Sequence, residues 1–126
     1  MMYTTGISLL LDLYDCTSPV SHDPDALERV FVEALQSAGF DRIEHLSHQF
    51  PVQGMTFITI LQQSHAALHT WPESRFVSVD VYSCGEPEAV RSALDIFCSH
   101  FAQKLDAGRM NARFIERGLE TPSQSK

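Results

Sequence analysis

Residues 57–85 read FITILQQSHAALHTWPESRFVSVDVYSCG, and the fold is decided in this stretch. A β-branched and aromatic run from Met55 to Leu61 leads in, reading as a well-buried strand. Ser64 to Trp71 forms a second, shorter strand, and Pro72-Glu73-Ser74 turns the chain into a third. In that third strand, Phe76 to Tyr82, the valines at 77, 79 and 81 face one way while Phe76, Ser78, Asp80 and Tyr82 face the other. Ser64, His65, His69 and Cys84 sit in or beside these runs. Strands hold side chains at fixed distances, which suits chemistry that needs them.

Outward from this hairpin-rich segment the chain reads as scaffold. Ile7, Leu9, Leu11 and Leu13 alternate with Ser8, Leu10, Asp12 and Tyr14, giving a first strand with one strongly apolar face. Asp23 is a helix cap and Pro24 a first helical residue, where its missing N–H costs nothing. Leu27, Val30, Phe31, Ala34, Leu35 and Ala38 recur at helical spacing, and Gly39 supplies the stop. Arg42 to Gln49 reads as a polar-flanked strand that bends at Phe50-Pro51. Gly85-Glu86-Pro87 opens a second helix, with Val90, Ala93, Leu94, Phe97, Phe101 and Leu105 as its buried stripe. A last strand is expected over about 109 to 116, before a polar tail, 120–126, expected to be disordered.

Asp12-Leu13-Tyr14-Asp15-Cys16 echoes Asp80-Val81-Tyr82-Ser83-Cys84, and each is followed by a helix started at proline. The pattern predicts two similar halves in a single domain, 1–119. Two helices and six or seven strands in this order give an α+β, two-layer sandwich: a mostly antiparallel sheet with both helices on one face. The other sheet face carries polar side chains and is left for a site or a second subunit.

Composition narrows the function. The 126 residues suffice for one modest core, and the 44% apolar share is ordinary for a globular protein. No apolar run reaches the roughly 20 residues of a membrane span, and the N-terminus carries no secretory pattern. A formal charge of −7 argues against nucleic acid and is compatible with a cationic substrate. Three cysteines are too few and odd in number for a disulfide framework, so a reducing cytoplasm is the expected setting.

Taken singly, the candidate residues have ordinary explanations. Ser64 reads as a strand-end hydroxyl, and Cys16 and Cys98 as structural thiols. His65 and His69 share a strand face and with Cys84 make a conceivable metal trio, although hydrogen-bonded side chains are the commoner outcome. No phosphate-binding glycine loop and no zinc-type cysteine pair is present, and no metal is expected.

The order changes that reading. Ser64-His65, then His69-Thr70-Trp71-Pro72-Glu73, then Asp80-x-Tyr82-x-Cys84-Gly85 resembles the prokaryotic S-adenosylmethionine decarboxylase proenzymes. Asp12-x-Tyr14-x-Cys16, Phe50-Pro51 and Glu116-Arg117-Gly118 extend the resemblance over nearly the whole chain. It implies the same α+β architecture, a homodimer, and a cofactor made from the chain itself. Ser64 Oγ would attack the carbonyl of Gln63, converting the peptide bond to an ester. Elimination to dehydroalanine and hydrolysis would then leave a pyruvoyl group at position 64. Its ketone supplies, through a Schiff base, the electron sink a decarboxylating amino acid needs.

By the same resemblance His69 is the processing base, Thr56 a hydroxyl that stabilises the processing intermediate, and Cys84 the proton donor in decarboxylation. Phe50 would stack on adenine, Glu73 would grip ribose hydroxyls, and Asp12 and His65 would help bind substrate. The chain departs from the family pattern at Gln63, usually glutamate, at Thr56, usually serine, and at Ser74-Arg75, usually Tyr-Gly. The expected activity is therefore S-adenosylmethionine decarboxylation for spermidine synthesis. Two alternatives stand: pyruvoyl chemistry on a basic amino acid, ornithine or arginine, or an uncleaved binding or regulatory homologue.

Overall fold

The alternation of apolar residues along β1 (Thr5–Tyr14) sets a period of two that the other inner strands of the sheet repeat. In a computed structural model, which describes residues 5–118, the elements follow as α1 (Pro24–Ser37), β2 (Arg42–Gln49), β3 (Met55–Leu61), β4 (Ser64–Trp71), β5 (Phe76–Cys84), α2 (Pro87–Lys104) and β6 (Arg109–Gly118). Short 3₁₀ turns at Pro19–His22 and Pro72–Ser74 complete the chain. The six strands form one sheet in the order β2-β3-β4-β5-β1-β6, every neighbour antiparallel. The polar tail expected from Glu120 lies outside the described residues.

The helix starts follow the sequence signals. Asp23 accepts the Ala26 N–H at 3.3 Å and Glu86 accepts the Ala89 N–H at 2.8 Å, each ahead of a proline at the first helical position. Past the end of α1, Gly39 takes φ +96°, a left-handed conformation that ends a helix without a Cβ penalty. The last two strands run further than the sequence indicated, because β5 continues through Ser83 and Cys84 opposite Ile7 and Gly6, and β6 to Gly118 opposite Thr5.

Both helices pack on one face of the sheet. Ile7, Leu9, Leu11 and Leu13 of β1, Phe57 and Leu61 of β3, Ala66 and Leu68 of β4 and the three valines of β5 meet Leu27, Phe31 and Leu35 of α1 and Leu94, Phe97 and Phe101 of α2. Phe31 is the hub, its ring 5.8 Å from Phe57, 5.7 Å from Phe97 and 5.3 Å from Phe101, all at steep angles. Edge-to-face pairs of this kind add to plain area burial. The echoing segments Asp12–Cys16 and Asp80–Cys84 centre on β1 and β5, which pair at the middle of the sheet; three strands follow α1 and one follows α2.

The opposite sheet face has no layer over it within the described residues. It presents Ser8, Leu10 and Asp12 from β1, Ser78, Asp80 and Tyr82 from β5, His65 and His69 from β4, and Thr56, Ile58 and Ile60 from β3. Leu46 (73% exposed), Ile58, Ile60 and Ile115 are large apolar residues left in water on it.

Burial also decides the state of two thiols. Desolvation first, with Asp15 adding to it, pushes Cys16 up to about 11; desolvation and then Asp95 push Cys98 up to about 12. Both values lie above the ordinary 9.0, so the folded chain keeps its protons where the unfolded chain loses them. Their contribution is fully present below pH 9 and is lost as pH rises through about 11 and 12. Urea midpoints should accordingly fall above pH 9, and fall less steeply in Cys98→Ala. Replacing Phe31 with Ala should cost about 3–5 kcal/mol in the same measurement, since it removes a ring from between both helices and the sheet.

Candidate active site on the open sheet face

The β3–β4 turn places the residue ahead of Ser64 under backbone strain. Gln63 adopts φ +57°, a left-handed conformation that disfavours a side chain by about 1–2 kcal/mol. Its carbonyl oxygen accepts the backbone N–H of Cys84 at 3.3 Å. Ser64 pairs with Ser83 across the ladder, and its hydroxyl donates to Ser83 Oγ at 2.7 Å. The carbonyl and the hydroxyl that an acyl shift at 63–64 would join are therefore both held by consecutive residues of β5. A backbone N–H on that carbonyl is also what a developing oxyanion needs.

Cys84 lies on the open-face side of β5 beside Tyr82, whose pKa is raised, first by hydrogen bonding with the Cys84 thiol and then by burial. The Tyr82 hydroxyl has room there because Gly6, paired with Cys84, has no side chain; a Cβ on Gly6 would sit 2.6 Å from it. Arg117 donates to Ser8 Oγ at 3.2 Å and lies 5.8 Å over the Tyr82 ring, and His65 is 5.8 Å from the same ring. Ser8, Leu10, His65, Asp80, Tyr82 and Arg117 line a groove of about 530 Å³ at this end of the face. His65 thus belongs with the Ser64–Cys84 end. Sequence reasoning did not pick out Ser83, Tyr82 or Arg117 as site residues; the Tyr82-x-Cys84 spacing, which puts both on one face, was the signal available for Tyr82.

Thr56 and His69 form a second centre. Thr56 is paired with His69, and its Oγ1 lies 3.1 Å from His69 Nδ1, the bond that orients the ring. Asp12 is on the same cross-strand row, through Ser78. Trp71, Phe76 and Tyr14 make the next row, with centroids 5.3 and 5.0 Å apart, and Arg109 stacks 3.8 Å over Tyr14. Phe50, half exposed, packs on His48 at 4.8 Å in the β2–β3 loop, and Glu73 lies exposed in the turn after Trp71.

One chain does not bring these two centres together. Ser64 and His69 are five residues apart on one extended strand, about 17 Å at the usual rise. Their parity also differs: Ser64 Oγ turns toward the helix layer with buried Ser83, while His69 faces out. Among the described residues no cluster of three His, Cys, Asp or Glu side chains is arranged to hold a metal, so His65, His69 and Cys84 do not converge.

An antiparallel sheet covered by helices on one face, with His65, His69, Thr56 and Cys84 on the other and the Ser64 hydroxyl between the layers, defines a two-layer α+β enzyme. The comparisons say which kind. Residues 7–118 match the family model described as S-adenosylmethionine decarboxylase. The S-adenosylmethionine decarboxylase proenzyme of Moorella thermoacetica is 33% identical over 124 residues, covering 98% of this chain and 96% of that one. The proenzyme of Acetivibrio thermocellus is 30% identical over 118 residues, 94% and 92% of the two chains. The crystal structure of the adenosylmethionine decarboxylase from Aquifex aeolicus VF5 superposes with a TM-score of 0.77 at 27% identity, covering 98% and 99% of the chains. The chain belongs to the S-adenosylmethionine decarboxylase family, a family of pyruvoyl-dependent carboxy-lyases.

The three thiols differ enough to be told apart by reagent. Cys16 and Cys98 are buried with raised pKa values, and Cys84 is half exposed. At pH 8 a thiol-specific alkylating reagent should modify Cys84 alone in the folded protein and all three in denaturant, as read by peptide mass spectrometry.

Proposed function

We propose that this protein is a self-maturing, pyruvoyl-dependent decarboxylase of S-adenosylmethionine, cut between Gln63 and Ser64. The observation that carries the reading is the scissile unit: Gln63 at φ +57°, its carbonyl on the Cys84 N–H and the Ser64 hydroxyl on Ser83, the residue before Cys84. A left-handed non-glycine residue costs energy that an acyl shift can release, and the carbonyl has its donor in place before any charge develops. A pyruvoyl group formed at position 64 would provide, in its ketone, the electron sink for decarboxylation. Cys84, on the open-face side of the neighbouring strand, is the proton donor, since a half-exposed thiol there can give a proton to the substrate carbanion and take it back.

A homodimer supplies what one chain lacks. A second copy laid face to face across a twofold axis would carry the Thr56–His69 centre of one chain to the Ser64–Cys84 end of the other. Burial of the neighbouring Leu46, Ile58 and Ile60 on β2 and β3, with Ile115 at the far edge of the sheet, would favour that contact, because a contiguous apolar patch in water marks an interaction surface. Phe50, Glu73 and Asp12 share the His69 end, so adenine stacking and ribose binding would come from the second copy. Asp12 at that end of the face suits a sulfonium substrate, since a carboxylate there attracts a cation. The product would be the aminopropyl donor for polyamine synthesis, and three unpaired cysteines fit a reducing cytoplasm.

Intact mass under denaturing conditions tests the maturation. The wild type should give chains 1–63 and 64–126, the second lacking ammonia relative to a serine start, and Ser64→Ala should give one uncut chain without activity. A stable uncut wild type would favour a binding or regulatory homologue. Carbon dioxide released from ornithine or arginine, with none from S-adenosylmethionine, would reassign the substrate.

Complementation tests the shared site. Ser64→Ala and His69→Ala should each stay uncut when expressed alone, whereas co-expression should cleave the His69→Ala chain, its partner lending the imidazole. No cleavage in the mixture, with dimers present by light scattering, would mean that His69 acts on its own chain or not at all.

A further inference from the structure

We infer that Ser83 is a positioning residue for self-cleavage, holding the Ser64 hydroxyl for its attack on the Gln63 carbonyl. The inference rests on the self-cleaving reading above and adds to it the group that organises the nucleophile. Ser64 and Ser83 are direct partners in the β4–β5 register, their oxygens 2.7 Å apart, and Ser83 is only 4% exposed. Val77, Val79 and Val81 fill the other inward positions of β5, so Ser83 is the one polar side chain on that buried face of the strand. The next residue holds the other reactant, through the Cys84 N–H on the Gln63 oxygen at 3.3 Å. Consecutive residues of one rigid strand thus fix attacking and attacked atoms relative to each other.

The chemistry needs that arrangement because, among the described residues, the hydroxyl's side-chain hydrogen bond is to Ser83 and not to a base. His69 lies about 17 Å along the strand and on the opposite face, and even a second copy's His69 would approach from the open side, away from Ser64 Oγ. In the shift, Ser64 Oγ bonds to the Gln63 carbonyl carbon and the carbonyl electron pair moves onto its oxygen, facing the Cys84 N–H. Collapse breaks the bond from that carbon to the Ser64 nitrogen, which ends with the proton that left Oγ. No outside reactant enters. Ser83 Oγ accepts the hydroxyl hydrogen before attack, which fixes the side-chain rotamer and raises electron density on the attacking oxygen. His69 is left for the later step, removal of the Ser64 Cα proton.

The test follows cleavage from synthesis in a cell-free translation, by mass, for the wild type, Ser83→Ala and Ser83→Thr. Ser83→Ala should cleave at least about tenfold more slowly, the rate equivalent of one lost hydrogen bond, with an unchanged Tm. Ser83→Thr, which keeps the hydroxyl, should restore most of the rate. Hydroxylamine separates this from a role in elimination, because it cuts an ester but spares a peptide bond under mild conditions. With the shift itself impaired, hydroxylamine should leave Ser83→Ala largely uncut. Wild-type cleavage of Ser83→Ala, or full rescue by hydroxylamine, would overturn the assignment while leaving the self-cleaving reading intact. An uncut wild type would overturn both. If Ser83→Ala lowers Tm, Ser83→Cys, near in size and a poorer acceptor, takes its place with the same slow rate expected and the wild-type rate excluding the role.

Discussion

Packing of the Phe31 ring against Phe57, Phe97 and Phe101 is the contact on which the rest of the structure depends. It fastens both helices to the same face of the sheet, through one side chain with no exposure to solvent. A sheet covered by helices on one side has its other side left to receive a substrate. Every polar residue at an outward position of β1, β3, β4 and β5 is thereby directed to that common surface, while the Ser64–Ser83 hydroxyl pair sits on the helix side.

The pitch of an extended strand then imposes a second constraint. Side chains on alternate residues share a face, and each residue advances about 3.3 Å, so His65 and His69 share a face yet stand about 13 Å apart. A strand is therefore a good ruler and a poor clamp. Groups close in sequence, such as Ser64 and His69, are driven apart along β4, and groups distant in sequence are joined by the ladder. Ser64 meets Ser83, and Thr56 meets His69, purely because of register. That separation of reactive groups is the physical argument for a second subunit.

The departures from the family pattern look milder in three dimensions than in one. Thr56 keeps the hydroxyl contact with His69 at 3.1 Å, its extra methyl tolerated on a half-open surface. The Gln63 side chain is exposed, and it is its backbone, strained and hydrogen-bonded, that meets Ser64. Arg75 is the costlier change. It takes φ +51° where glycine is usual, a conformation held in part by its carbonyl accepting the Cys16 N–H at 3.0 Å.

Much of the fold was legible in the sequence because it is written in local periodicities. The alternation in β1 and β5, the apolar stripes of α1 and α2 and the Asp23-Pro24 cap each report on their own segment, and each formed as read. The family order of Ser64, His69, Glu73 and Cys84 was legible too, since it is a one-dimensional pattern. What only the tertiary structure decided is which of these residues meet. Ser83 looked like filler between Tyr82 and Cys84 until register set it against Ser64. Gly6 had no evident purpose until the Tyr82 hydroxyl occupied its missing side chain. Periodicity tells which face a residue takes, but pairing across a ladder depends on strand order and register, and those are set by the whole core at once.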